Sequence, residues 1–267
     1  MLNLILDKSP VFLLIFARCF AMLMTLPLLS MRSVPRTAKV ALAGYMSFFL
    51  MGSAGYAEIY PLLSSDGTFS LIYVLLILGE ALIGVILGFF ITIVFSAFST
   101  AGQFMAFQMG FSAASTYDAM AQVENPLMGQ FFNFVALFIF MQTSWFQKIF
   151  LGGLSTSFTT INAVSMALNQ NHLITFLLSG LSKLFADAMI ISLPVMGTLL
   201  LITVCTGLLS KAAPQMNLLS EGFPVMILLS FFIIYTIFEP LCEFFVYSFQ
   251  SGFGSLADLF TLVSGGK

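Results

Sequence analysis

The sequence predicts an all-α integral membrane protein built of long, bent helices and helical hairpins. Hydrophobic residues make up 60% of the 267-residue chain and charged residues only 7%, against about 25% charged residues in an ordinary soluble domain. Apolar stretches of about 20 residues, the length that crosses a bilayer, recur along the chain. A soluble fold of this size could not cover so much apolar surface. The helices therefore need lipid or other helices around them.

The N-terminal part contains two predicted spans and a basic link between them. Val11–Met31 is the first span, interrupted by Arg18 and Pro27, and Val40–Ala57 is the second. The link, Arg32–Lys39, contains the densest group of basic residues in the chain. These two segments are predicted to form the first pair of membrane helices.

The next apolar run is too long for a simple span. Phe69–Thr100 has Glu80 as its only charge, and as a helix it would measure roughly 48 Å, against ~30 Å for the hydrocarbon layer. It must tilt, bend or extend beyond the lipid. Small side chains recur on one face of this helix at every fourth position, where another backbone can approach closely. They are Gly84, Gly88, Thr92 and Ser96, and we name them the small-residue seam.

The middle of the chain alternates between apolar and polar segments. Phe111–Pro126 is predicted as a loop and Leu127–Gln147 as a charge-free helix. Lys148–Asn171 is rich in Ser, Thr, Asn and Gln. Because irregular backbone in hydrocarbon leaves amide groups without hydrogen bonds, this segment is either extramembrane or part of a wall that faces water.

The C-terminal part is predicted as a helical hairpin. A long run, Leu173–Leu209, has a proline kink at Pro194 and precedes a tight polar turn at Ser210–Gly222. The last helix is predicted over Phe223–Gln250 and is followed by a short tail, Ser251–Lys267.

The chain lacks the residue patterns of an enzyme or of a metal site. His172 is the only histidine, and there is no GxSxG, Walker A or GxGxxG motif. Cys19, Cys205 and Cys242 lie in apolar runs without CxxC spacing. The few scattered Lys and Arg residues form no face for nucleic acid. We therefore predict no catalytic residue, no metal, no cofactor and no nucleic-acid partner.

Five charged residues within the apolar runs are candidates for function, because charges inside a membrane are costly. Glu239 and Glu243 share one helical face, as a proton or cation site would require. The alternative is that the five residues form ion pairs at subunit contacts or lie near the membrane surface. The five are Arg18, Glu80, Asp187, Glu239 and Glu243.

Several groups of residues match the pattern of a known family. They are Phe16-Ala17-Arg18 with Pro27 and Val34-Pro35-Arg36; Gly79-Glu80 with Gln108-Met109-Gly110-Phe111-Ser112; and Leu193-Pro194-Val195 with Pro214-Gln215-Met216-Asn217 and Gly222-Phe223-Pro224. On these residues the chain resembles the FliR/SctT family, export-gate components of flagellar and related type III secretion systems. The motif order holds over nearly the whole chain. Two places depart from the family. The family often has Asp-Pro after the central Gly-Phe, whereas here Asp118 is followed by Ala119. Gln142-Thr143-Ser144 stands where the family often has Gly-His.

The resemblance implies a single-copy subunit of a gate for unfolded polypeptides in the bacterial inner membrane. In this family one such chain joins FliP-type and FliQ-type subunits in a closed helical ring, beside FlhB-type and FlhA-type components. Residues 1–172 would be FliP-like, and residues 173–267 would form a FliQ-like hairpin and tail. We also expect the small-residue seam to lie against sister chains.

The resemblance further implies two functional segments. A plug loop in the lumen is expected at Gly110, Phe111, Ser112, Ala113, Ala114, Ser115, Thr116 and Tyr117. The tip of the C-terminal hairpin is expected at Pro214, Gln215, Met216 and Asn217, as a contact at the cytoplasmic entrance of the gate. The alternative for the first segment is an ordinary external loop.

Two other classes of function stay open at this point. A secondary transporter would have paired halves with broken helices and charges near the midplane, and prolines 27, 194 and 240 are compatible with broken helices. A structural subunit with no part in the pore is the second alternative.

Overall fold

The computed structural model describes residues 2–27, 34–53, 71–111, 127–161, 166, 170–212 and 218–263. Within these ranges all regular structure is helical, and the predicted all-α membrane fold is confirmed. The helices are α1 (Leu2–Thr25), α2 (Arg36–Ser53), α3 (Leu71–Met109), α4 (Leu127–Gln142), α5 (Trp145–Gln147), a π-helical turn (Lys148–Gly153), α6 (Leu154–Thr160), α7 (Gln170–Ala212), α8 (Leu218–Thr236) and α9 (Phe238–Val263).

In the described part of the chain, two helices are long and apolar enough to cross a membrane, and both exceed what crossing requires. They are α3, with 39 residues, and α7, with 43 residues. At 1.5 Å per residue they measure about 58 and 64 Å, twice the ~30 Å hydrocarbon layer. The predicted oversized helix is therefore confirmed, and α7 continues as one helix with Pro194 inside it. Two bent pairs of helices, α4 with α5 to α6 and α8 with α9, raise the number of spans to four if each pair counts as one.

The first helix begins earlier and ends earlier than predicted. It is predicted over Val11–Met31, yet α1 begins at Leu2, includes Pro10 and ends at Thr25. The Tyr73 hydroxyl of α3 donates a hydrogen bond to the Pro10 carbonyl oxygen at 2.9 Å, so tertiary contacts support this turn. At the other end, Pro27 disfavours helical backbone at the preceding residue.

The first part of the polar segment after α4, residues 148–160, is helical. That the segment is extramembrane or part of a wall that faces water stays a prediction. Ser144 adopts a left-handed conformation, φ 57°, and ends the helix predicted to reach Gln147. Helical structure resumes in α5, continues through the π-helical turn and ends in α6. One side of α6 is buried through Leu154, Ser157 and Phe158. The segment therefore packs on protein along that side.

The predicted last helix is two helices. A break at Ile237 separates α8 from α9, and the two axes are bent by 66°. Pro240 has no N–H to donate to the carbonyl of Thr236, which is where the helix is interrupted. The predicted tail is helical as far as Val263, because Phe253, Leu256, Leu259 and Phe260 form a buried stripe at helical spacing.

The C-terminal turn is shorter than predicted. The turn was expected over Ser210–Gly222, but α7 extends to Ala212 and α8 begins at Leu218. The hairpin tip, Pro214–Asn217, lies outside the described residues.

The chain divides into two compact units. Unit 1 contains residues 1–93, 144–180 and 252–267, and unit 2 contains residues 94–143 and 181–251. A group of tilted and edge-on aromatic rings, with neighbouring centroids 4.3 to 5.6 Å apart, fills the core of unit 2. Its members are Phe95, Phe98, Phe140, Phe245 and Phe249. The FliP-like and FliQ-like parts expected at 1–172 and 173–267 stay a prediction.

Candidate functional site

A buried arginine lies at the centre of unit 1. Arg18, in the middle of α1, and Glu80, in α3, both have 0% of their surface exposed. The Arg18 Nε donates to Glu80 Oε2 at 2.6 Å. A pair of charges removed from water in this way is tolerated only when its geometry is good and its other donors find acceptors.

The other two nitrogens of this guanidinium donate hydrogen bonds to α6 and to the residue that follows its last turn. Nη1 donates to Ser157 Oγ at 3.1 Å, and Nη2 donates to the Ile161 carbonyl oxygen at 2.8 Å. The Phe158 ring lies 4.1 Å from the Arg18 Cζ, in cation–π geometry. We name Arg18, Glu80, Ser157, Phe158 and Ile161 the Arg18 centre.

The Arg18 centre joins three helices. Ile161 is the residue that caps the C-terminal end of α6, where unpaired carbonyl groups favour a cation. One side chain of α1 therefore holds α3 and the end of α6 together. Because its charges are paired and excluded from water, the centre has the chemistry of a structural connection and not of a proton relay.

The small-residue seam lies against α1 of the same chain. A Cβ at Gly84 would overlap the backbone carbonyl oxygen of Arg18, and one at Gly88 would overlap the Thr25 hydroxyl. Thr92 Oγ1 donates to the Thr25 carbonyl oxygen at 2.8 Å, at the end of α1. The expectation of a sister chain on this seam is wrong at these positions, because the backbone of α1 already occupies them; Ser96, farther along α3, is half-buried.

The expected plug loop begins where α3 ends, in unit 2. Gly110 has a φ of +86° and donates its N–H to the Phe107 carbonyl oxygen at 3.1 Å. This left-handed conformation favours glycine and commonly terminates helices. The Phe223 ring of α8 lies against Gly110, and Phe111 is half-buried. Ser112–Tyr117 lie outside the described residues.

The other three predicted charges have different surroundings. Asp187 is buried and accepts a hydrogen bond from Ser248 Oγ at 2.5 Å, while Lys183 Nζ lies 3.3 Å from the same carboxylate oxygen. Glu239 and Glu243 are exposed on one face of α9. Neither has an ion-pair partner in the part of the chain that the structure describes. That part also contains no group of three His, Cys, Asp or Glu residues able to hold a metal.

The sequence did not single out Ser157, Phe158, Ile161 or Phe223. The sequence does contain a pattern that could have indicated the first three: a stripe with the spacing of a buried helical face. The stripe consists of Leu154, Ser157, Phe158 and Ile161. It lies in a segment whose polar composition suggested exposure to water. Phe223 was noted only as part of the Gly-Phe-Pro motif. Its contact with Gly110 depends on how α8 packs against the end of α3, and no local sequence pattern indicates this packing.

Comparisons with known proteins agree on one family. The family model described as "Bacterial export proteins, family 1" matches residues 9–252. The chain is 31% identical to the flagellar biosynthetic protein FliR of Bacillus subtilis, over 87% of this chain and 88% of the relative. It is 32% identical to FliR of Borreliella burgdorferi, over 90% and 87% of the two chains. It is also 30% identical to the surface presentation of antigens protein SpaR of Shigella flexneri, over 62% and 65%.

Proposed function

The chain belongs to the bacterial export proteins, family 1, and from this membership we propose that it is the single-copy subunit of an export gate. It is a membrane component of the flagellar or type III export apparatus and not an enzyme. The gate would conduct unfolded polypeptides across the bacterial inner membrane. FliP-type and FliQ-type subunits would complete it, and FlhB-type and FlhA-type components would lie beside it.

The observation that carries this proposal is an apolar face of α7 that is longer than the membrane is thick. Its large exposed side chains recur mostly every three or four residues from Ile174 to Leu208, in a stripe that winds by about 160° around the helix over about 51 Å of its axis, against ~30 Å of hydrocarbon. Lipid alone covers such a face only if the helix tilts steeply. Protein neighbours that are themselves long helices cover it without tilt. The face consists of Ile174, Leu178, Leu181, Phe185, Met189, Leu193, Leu200, Val204 and Leu208.

The first prediction tests this face as an assembly surface. In Leu178→Asn combined with Val204→Asn, we expect recovery of FliP-type and FliQ-type subunits with the tagged chain in mild detergent to fall by roughly thirtyfold or more, because an unpaired buried amide costs ~1–3 kcal/mol at each position. The control is Thr175→Asn, an exposed polar position of the same helix, which should leave recovery unchanged. A chain that purifies alone in its natural form would contradict the proposal.

We propose further that the segment beginning at Gly110 is a plug in the lumen. The end of α3 supports this, because Gly110 turns the chain away from the helix axis and leaves Phe111 only half-buried. A small, uncharged segment blocks ions by excluding water, while making few contacts that would resist displacement. The alternative is still an external loop with no contact to the lumen.

The second prediction concerns this plug. Deleting Phe111–Thr116 should raise the leak of ions through the assembled gate while the subunits still co-purify, since the constriction that excludes water is gone. Membrane potential in cells that are not exporting gives the measurement. A deletion of equal length in another link, Pro61–Asp66, is the control and should not leak. An unchanged leak after the first deletion would contradict the plug.

A secondary transporter for a small solute is the second candidate. The broken pair α8 and α9, with the exposed carboxylates of Glu239 and Glu243 just after the break, is the observation that favours it. A transporter would move its solute when reconstituted alone, whereas a gate subunit needs its partners. Solute uptake by the isolated chain, abolished by Glu239→Gln, would therefore support the transporter over the gate.

A further inference from the structure

We propose that Phe223 is a positioning residue of the gate. Its ring holds the turn at Gly110, where α3 ends and the proposed plug begins, and so couples this turn to the start of α8. This inference rests on the proposed gating function. It joins two sequence motifs that the function above leaves separate, the Met-Gly-Phe at residues 109–111 and the Gly-Phe-Pro at residues 222–224. Both lie in unit 2.

The contact is closely fitted. Gly110 is the one glycine with positive φ, at +86°, in the described part of the chain. A Cβ at this position would overlap the Cδ1 and Cε1 atoms of the Phe223 ring. The ring therefore takes the space that any other residue at position 110 would need, and the two positions constrain each other.

The ring lies where a fully buried residue is followed by a half-buried one. Met109, immediately before the glycine, is fully buried and anchors the end of α3. Phe111, immediately after it, is half-buried. Because glycine has the widest choice of backbone conformation, rotation at Gly110 can move Phe111 without displacing Met109. The Phe223 ring lies against this hinge.

The position of Phe223 links this contact to the beginning of α8. Phe223 lies in the first turns of α8, about 8 Å along the axis from Leu218, where the helix begins after the hairpin tip. A helix transmits displacement as a rigid element. A shift of the first turn of α8 would therefore move the ring relative to Gly110.

The third prediction tests this coupling in the assembled gate. Phe223→Ala should raise the ion leak of cells that are not exporting by roughly threefold to tenfold, the size expected for loss of one aromatic contact. Gly110→Ala should leak as well, because its methyl group displaces the ring and alanine is strained at this positive φ. The two changes together should leak less than the product of the two single leaks, since both remove one contact. Phe223→Tyr, which keeps the ring, should behave like the natural chain.

The control is Phe231→Ala, a change of the same kind at an exposed position farther along α8, with co-purification of the other subunits as the check on assembly. If Phe223→Ala prevents assembly, Phe223→Leu keeps most of the volume and should leak to a smaller extent. Leaks that multiply in the double variant, or a tight gate in both Phe223→Ala and Phe223→Leu, would overturn the coupling. If the deletion of Phe111–Thr116 leaks in the same assay while the Phe223 variants stay tight, only the coupling is contradicted. If the deletion does not leak, the proposed plug itself is contradicted.

Discussion

Replacing Arg18 by methionine is expected to destabilise the chain by roughly 3–5 kcal/mol, because it leaves the Glu80 carboxylate buried without its partner. Ser157 and the Ile161 carbonyl lose a donor at the same time. Thermal unfolding in detergent and the abundance of the chain in membranes both report this loss. Arg18→Lys should recover only part of it, since an ammonium group cannot reproduce the three-way geometry of the guanidinium.

The comparison that isolates the ion pair is the double variant Arg18→Met with Glu80→Leu. Removing both charges should restore much of the stability lost in Arg18→Met, because no uncompensated charge stays buried. Lys183→Met is the comparison: Lys183 is 29% exposed, and Asp187 keeps its hydrogen bond from Ser248, so the loss of stability should be clearly smaller than in Arg18→Met. Equal losses in Arg18→Met and Lys183→Met would contradict the central role of the Arg18 centre.

The sequence predicted that Arg18 and Glu80 are unusual, but it did not predict that they pair with each other. A charge in an apolar run is a local signal, visible without knowing the fold. Its partner depends on which helices meet, and Arg18 and Glu80 lie on helices separated by α2 and two links. The same holds for the small-residue seam, whose composition indicated close packing but not that α1 is the helix packed there.

The polar segment shows that a composition rich in Ser and Thr is compatible with helical structure, which the chain has over residues 148–160. Its hydroxyl groups donate to carbonyl groups of their own helix, as Thr156 does to Gly152 and Thr160 does to Thr156, both at 2.8 Å. Such side chains are therefore compatible with a helix that packs on one side. Proline gives a second example of what local sequence leaves open: Pro10 lies inside a helix while Pro240 lies at a break, and local sequence alone does not separate these cases.

The second large effect is expected at Gly84. Gly84→Ala should destabilise the chain by roughly 3 kcal/mol, the upper part of the range for overpacking, because the added methyl group meets the rigid carbonyl of Arg18 and not a flexible side chain. Gly44→Ala in α2 is the matched control, since a Cβ there meets nothing within 4 Å. Alanine favours a helix over glycine, so this control should be neutral or slightly stabilising in the same thermal unfolding assay.

The effect of Gly84→Ala should also depend on the Arg18 centre. A methyl group at Gly84 can be accommodated only by moving α1 away from α3, and this movement carries the Arg18 guanidinium away from Glu80. Part of the loss is then the weakened ion pair, so Gly84→Ala combined with Arg18→Met should cost less than the two single changes added together. Full additivity would mean that the glycine contact and the ion pair act independently. A harmless Gly84→Ala would mean that α1 does not lie on the seam, and the sister chain would again be the expected neighbour.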